Sequence, residues 1–96
     1  MGLGIYVLDL RRDAMSSFTD DSSDSFRGMC ERAPEDSLRH GVNRYGETWF
    51  NCIQLPRLVA ELKALPESEI TPVVQKVVDG ANQAIHRTGY IRFIGD

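Results

Sequence analysis

Alternation and helical stripes divide this chain into a small number of elements. Over Leu3–Leu10, an extended backbone places Leu3, Ile5 and Val7 on one side and Tyr6, Leu8 and Leu10 on the other. Apolar residues on both sides predict a central buried strand, with glycine there marking a close backbone approach. Arg11–Ser25 is polar, crowded with Ser and Asp, and reads as an exposed loop. Phe26, Met29, Cys30 and Ala33 then recur at i, i+3, i+4 and i+7, the stripe of a short helix that Pro34 ends. Pro34-Glu35-Asp36 suits the first turn of one more short helix, and His40-Gly41 suits its end.

From Val42 to Gln54 the periodicity fades, with Thr48–Cys52 a further candidate strand. Pro56–Leu65 resumes a helical stripe through Leu55, Leu58, Val59, Leu62 and Leu65, and Pro66 stops it. Thr71 as N-cap and Pro72 at the first helical position open a longer helix, Pro72–Thr88, that buries Val74, Val77, Val78, Ala81 and Ile85. Gly80 lowers its helix propensity by up to ~1 kcal/mol relative to Ala. A close neighbour over Gly80, Ala81 and Ala84 accounts for that cost, and the preceding helix is the one expected. Gly89 is the expected C′ stop. Tyr90–Ile94 alternates Ile91 and Phe93 against Tyr90, Arg92 and Ile94, a strand with one drier face that pairs with Leu3–Leu10. These elements predict a single domain over residues 1–96, of the α+β or small α/β class. It has two layers: a small sheet containing Leu3–Leu10 and Tyr90–Ile94, covered by the C-terminal helix pair.

Composition then narrows the function classes. With 42% hydrophobic and 26% charged residues, the chain has an ordinary globular balance. Its net charge of −3 arises wholly before Trp49, where nine acids face six bases. The only adjacent basic pair, Arg11–Arg12, is flanked by Asp9 and Asp13, so no basic stripe is available for phosphates and no nucleic-acid partner is expected. The start lacks the basic and apolar regions of a secretion signal, and no apolar run reaches membrane-span length. Cys30 and Cys52 are too few and too isolated for a disulfide framework or a zinc site. A cytoplasmic protein with free thiols, no membrane partner and no cofactor is the expectation.

Several groups invite chemistry. Asp20, Ser22, Asp24 and Glu31 fall at the first, third, fifth and twelfth positions of an EF-hand loop. Ser25 stands where that loop needs Gly, and Arg27 where it needs an apolar residue. No metal is therefore expected, and the acidic run reads as a loop with capping side chains. His40 and His86 lie near predicted helix C-termini, where a cation is favourable. Cys30 belongs to an apolar stripe; Cys52 precedes a helix N-terminus, which can activate a thiol, or packs between Phe50 and Ile53. The candidate binding residues are Arg44, Tyr45, Glu47, Thr48, Trp49, Asn51 and Gln54, the one gathering of polar and aromatic side chains without clear periodicity. Trp, Tyr and Arg dominate protein interface hot spots, and Asn, Gln and Glu can fix a polar group. Their structural reading is a turn at Gly46, a cover for the core by Trp49 and Phe50, and a cap by Asn51 or Gln54.

The segment R-Y-G-E-T-x-F-N-x-x-Q, the following L-x-x-L-V-x-E-L and the closing G-Y-I-R-F-I-G-D span Arg44 to Asp96. Together they resemble a group of small uncharacterised bacterial proteins. The resemblance implies a bacterial origin and a compact α/β-type domain, and no activity. The leading expectation is a non-enzymatic protein-interaction module, a regulator or immunity-type inhibitor, working through Arg44–Gln54 and the acidic Asp20–Asp24 loop. The alternative is a small hydrolase or ligand-binding enzyme with Glu47 as acid or base, assisted by Arg44, Tyr45, Asn51 or His86. A homodimer joined through the Gly80/Ala84 face or an edge strand is compatible with either.

Overall fold

The structure, a computed structural model, describes residues 2–42 and 46–95. Among these run β1 (Gly4–Leu8), β2 (Ala14–Thr19), α1 (Ser25–Glu31), β3 (Gly46–Asn51), α2 (Leu55–Lys63), α3 (Pro72–His86) and β4 (Tyr90–Gly95). Single 3-10 turns occupy Arg39–Gly41 and Glu67–Glu69. The strands form one sheet in the order β2-β1-β4-β3, with every neighbouring pair antiparallel. The fold is therefore α+β, with the strand nearest the C-terminus at the sheet's centre.

Alternation decides which face the helices cover. Leu3, Ile5 and Val7 share a buried face with Phe50, Ile91 and Phe93. Against that face pack Phe26 of α1, stacked on Phe93 at 5.6 Å, and the apolar stripe of α3. The stripe of α2, through Leu55, Leu58 and Leu62, joins the same core. Burial pushes the Cys30 thiol up to about 12, so it is an inert packing group within this layer. No helix is long and apolar enough to cross a membrane among the described residues.

The predicted β1–β4 pairing holds, from Gly4 opposite Ile94 to Leu8 opposite Tyr90. So does the start of α3, where Thr71 Oγ1 accepts the Val74 N–H at 3.3 Å. Other expectations need correction. Arg11–Ser25 is not all loop, because Ala14–Thr19 forms the edge strand β2. A register irregularity opposite Val7 and Leu8 lets Met15 and Phe18, three residues apart, both pack on the core. A bulge of this kind erases the two-residue period by which a strand is read. Pro34–Gly41 holds turns and one 3-10 turn, and no α-helix. Its backbone is secured from elsewhere: Glu61 on α2 accepts the N–H groups of Leu38 and Arg39 and pairs with the Arg39 guanidinium at 2.9 Å.

Two glycines have different reasons from those expected. The neighbour at Gly80 is strand β1 and not helix α2, since a Cβ there would lie 2.6 Å from Val7 Cγ2. The left-handed residue closing α3 is Thr88, at φ 55, rather than Gly89. Thr88 N–H donates to the Ile85 carbonyl and Gly89 N–H to the Ala84 carbonyl, the paired bonds of a Schellman ending. Gly89 is required because a Cβ would stand 1.9 Å from the Leu8 carbonyl oxygen. Leu10 and Ile53 are 60% and 82% exposed, so neither joins the core, and Cys52 is half-buried without Ile53 over it.

Candidate functional site

Among the described residues the helices pack on one face of the sheet, and none of them covers the other. Strand β3 supplies Glu47, Trp49 and Asn51 to it, because Phe50 between them points into the core. Register brings Arg92 opposite Trp49 and Tyr90 opposite Asn51. The Trp49 and Tyr90 rings meet edge to face at 5.9 Å and 80°. Arg92 lies 5.2 Å from the Trp49 ring centre and donates through Nε to Glu47 at 2.7 Å. The Trp49 indole N–H donates to the same carboxylate.

A second arginine reaches this cluster from the hairpin between β1 and β2. Asp9 shapes that hairpin: its Oδ1 accepts the N–H groups of Arg11 and Asp13, and its backbone N–H donates to the Asp13 carbonyl. Arg12 takes the left-handed position at φ 69, a conformation that costs an L-residue roughly 1–2 kcal/mol. Its guanidinium stands 5.7 Å from the Trp49 centre and 5.6 Å from the Tyr90 centre, within cation–π range of both. Arg12, Trp49, Tyr90, Asn51 and Gln54 line a cleft of about 440 Å³, within the usual size of small-ligand sites.

The two amides at the cleft are held by a reciprocal cap. Asn51 Oδ1 accepts the N–H of Ile53 and Gln54, while Gln54 Oε1 accepts the N–H of Asn51, all at 3.0 Å. This is a capping box one turn ahead of α2, with Asn in the place of Ser or Thr. Asn51 and Gln54 thus fix the strand-to-helix corner and line the cleft as well.

Electrostatics at Glu47 run opposite to those of a proton-transfer carboxyl. Its hydrogen bond from Arg92, reinforced by that from Trp49, holds it below the usual glutamate range, and it is exposed. The pairing raises Arg92 in turn. Glu47 is not among the residues lining the cleft, and His86 is exposed at the far end of α3. Thr48 faces away, donating from Oγ1 to the Gly41 carbonyl at 3.1 Å. Arg44 and Tyr45 lie outside the described residues. Of the predicted site residues, the structure brings together Trp49, Asn51 and Gln54 at the cleft, with Glu47 beside it.

Sequence reasoning missed Arg12, Tyr90 and Arg92. The one available signal was the wetter side of β4, where Tyr90 and Arg92 alternate with core residues. Nothing in the order of residues joins Arg12 to Trp49. The acidic Asp20–Asp24 loop has a structural use: Asp20, nearly buried, accepts the N–H groups of Phe26 and Arg27 at the start of α1, and Asp21 accepts those of Ser23 and Ser25. A comparison with known proteins finds no family model that matches the chain, and no curated protein or solved structure similar to it.

Proposed function

We propose that this is a non-enzymatic protein-interaction module, a bacterial regulator or immunity-type inhibitor, that docks a partner protein on the helix-free face of its sheet. The observation that carries the reading is the cluster on that face of exposed Trp49 and Arg12 with half-buried Tyr90 and Arg92. These three residue types supply most interface hot spots, because rigid aromatic area and a planar cation lose little entropy on docking. A carboxylate held ionised at Glu47 gives no support to the acid–base alternative. Two free cysteines suit a reducing cytoplasm as the place of action.

The test replaces Tyr6, half-buried on the same face, by the photoreactive analogue benzoylphenylalanine and irradiates the protein in extract of the producing cell. A single defined adduct is expected, lost on Trp49→Ala, and absent when the analogue stands at Gln83 on the outer side of α3. An adduct that forms equally from Gln83, or that ignores Trp49→Ala, overturns the reading. An adduct of twice the chain's own mass would identify the partner as a second copy.

A further inference from the structure

We propose that the cleft between Arg12, Trp49, Tyr90, Asn51 and Gln54 binds an aromatic carboxylate, its ring against the aromatic walls and its carboxylate on Arg12 and the side-chain amides. The cleft has two apolar walls, Trp49 and Tyr90, set nearly perpendicular. Because the Arg12 guanidinium lies in the angle between them, 5.7 and 5.6 Å from the two ring centres, a planar group fits there by meeting the ring edges and the guanidinium plane.

The polar rim decides the charge. Asn51 Oδ1 and Gln54 Oε1 already accept backbone N–H groups, and only an amide oxygen can do so. Both amides are therefore fixed in orientation, and what remains on each is an NH2 group with no acceptor among the described residues. Arg12 adds guanidinium donors and has no carboxylate within ion-pair distance among the described residues. The neighbouring Arg92 is neutralised by Glu47 at 2.7 Å. A rim of donors around one uncompensated cation selects an acceptor-rich anion and repels ammonium ligands, which an aromatic pair alone would attract. The left-handed backbone at Arg12 agrees: a position that favours Gly or Asn sterically carries instead a side chain that lines the cleft beside both rings.

The same chemistry has two sources, a free aromatic acid or the carboxyl-terminal aromatic residue of a polypeptide. It concerns the cleft alone, so it stands or falls separately from docking of a folded partner over the wider face. The experiment titrates the 15N-labelled chain with phenylacetate, phenylacetamide, acetyl-Gly-Gly-Phe and the carboxyl-terminal amide of that peptide, following the Trp49 indole and the Asn51 and Gln54 side-chain N–H signals. Saturable shifts with a low-millimolar phenylacetate Kd are expected, weakened about tenfold or more in phenylacetamide and in Arg12→Gln. Peptide acid binding at least about tenfold tighter than phenylacetate assigns the site to a polypeptide terminus, and comparable binding assigns it to a free acid. No saturable shift with either acid up to about 20 mM overturns the proposal. So does equal binding of acid and amide, or an Arg12→Gln variant that folds and binds as the parent does.

Discussion

At the scale of single residues, two small changes, one within α3 and one just past its end, should act with opposite signs. Gly80→Ala adds a methyl 2.6 Å from Val7 Cγ2, and Val7 is fully buried with a stiff branched side chain that cannot swing aside. The helix-propensity gain of up to ~1 kcal/mol is therefore outweighed by overpacking, and urea denaturation should show a net loss of about 1–2 kcal/mol. Val7→Ala opens that contact, so the double variant should lose less than the sum of the two single changes. Thr88→Gly relieves a β-branched residue at φ 55 while keeping both carbonyl-directed bonds of the helix ending. It should gain about 0.5–1 kcal/mol, read as a rise in Tm of roughly 3–6 °C. A fall in Tm would mean that the threonine side chain makes a stabilising contact.

Elements in this fold are held by side chains of other elements, and the region after α1 shows how. In Leu38–Gly41 only Leu38 packs on the core, and the backbone of Leu38 and Arg39 is held by Glu61 of α2, whose carboxylate accepts both N–H groups. Burial would raise the Glu61 pKa, but these backbone bonds and the Arg39 guanidinium outweigh it, and the net direction is downward. A carboxyl lowered in the folded state contributes stability that is fully present above the ordinary glutamate range and is lost as pH falls through the folded value. Glu61→Gln should therefore cost about 1–3 kcal/mol at neutral pH and lessen the loss of stability below about pH 4.5. The check is Tm against pH for both proteins; parallel curves would contradict it. The corner between β3 and α2 works in the same manner through Asn51 and Gln54, which is why those amides sit rigidly beside the cleft.

For the whole molecule, the two faces of the sheet divide stability from recognition. The helix-covered face holds the core, whereas Trp49 is 38% exposed on the other face and touches mainly Tyr90 and two arginines. Trp49→Ala should thus cost less than about 1 kcal/mol in thermal or urea denaturation while removing the docking signal. A severe loss of stability would place Trp49 among the core residues instead. The central position of β4 also makes the domain depend on pairing residues from its two ends, Gly4 with Ile94 and Leu8 with Tyr90.

The sequence alone determined whatever rests on local periodicity and chain chemistry. It specified α2 and α3 with their prolines, the Thr71 cap, the core face of β4 and the pairing of the first and last strands. Those features follow from spacing, because an apolar stripe admits few ways of being buried. Tertiary structure alone decided the rest. The bulge in β2 removed its period, and the neighbour of Gly80 depended on which layer α3 crosses. The strand pairing of Gly46–Asn51 was settled by β4, which lies far along the chain. The cleft is the strongest case: Arg12, Trp49 and Tyr90 belong to three separate segments, and only strand register and a hairpin turn bring them within 6 Å of one another's ring centres. Contacts of that separation leave no mark on local pattern, so the sequence showed the residues of β3 as candidates and the fold chose their partners.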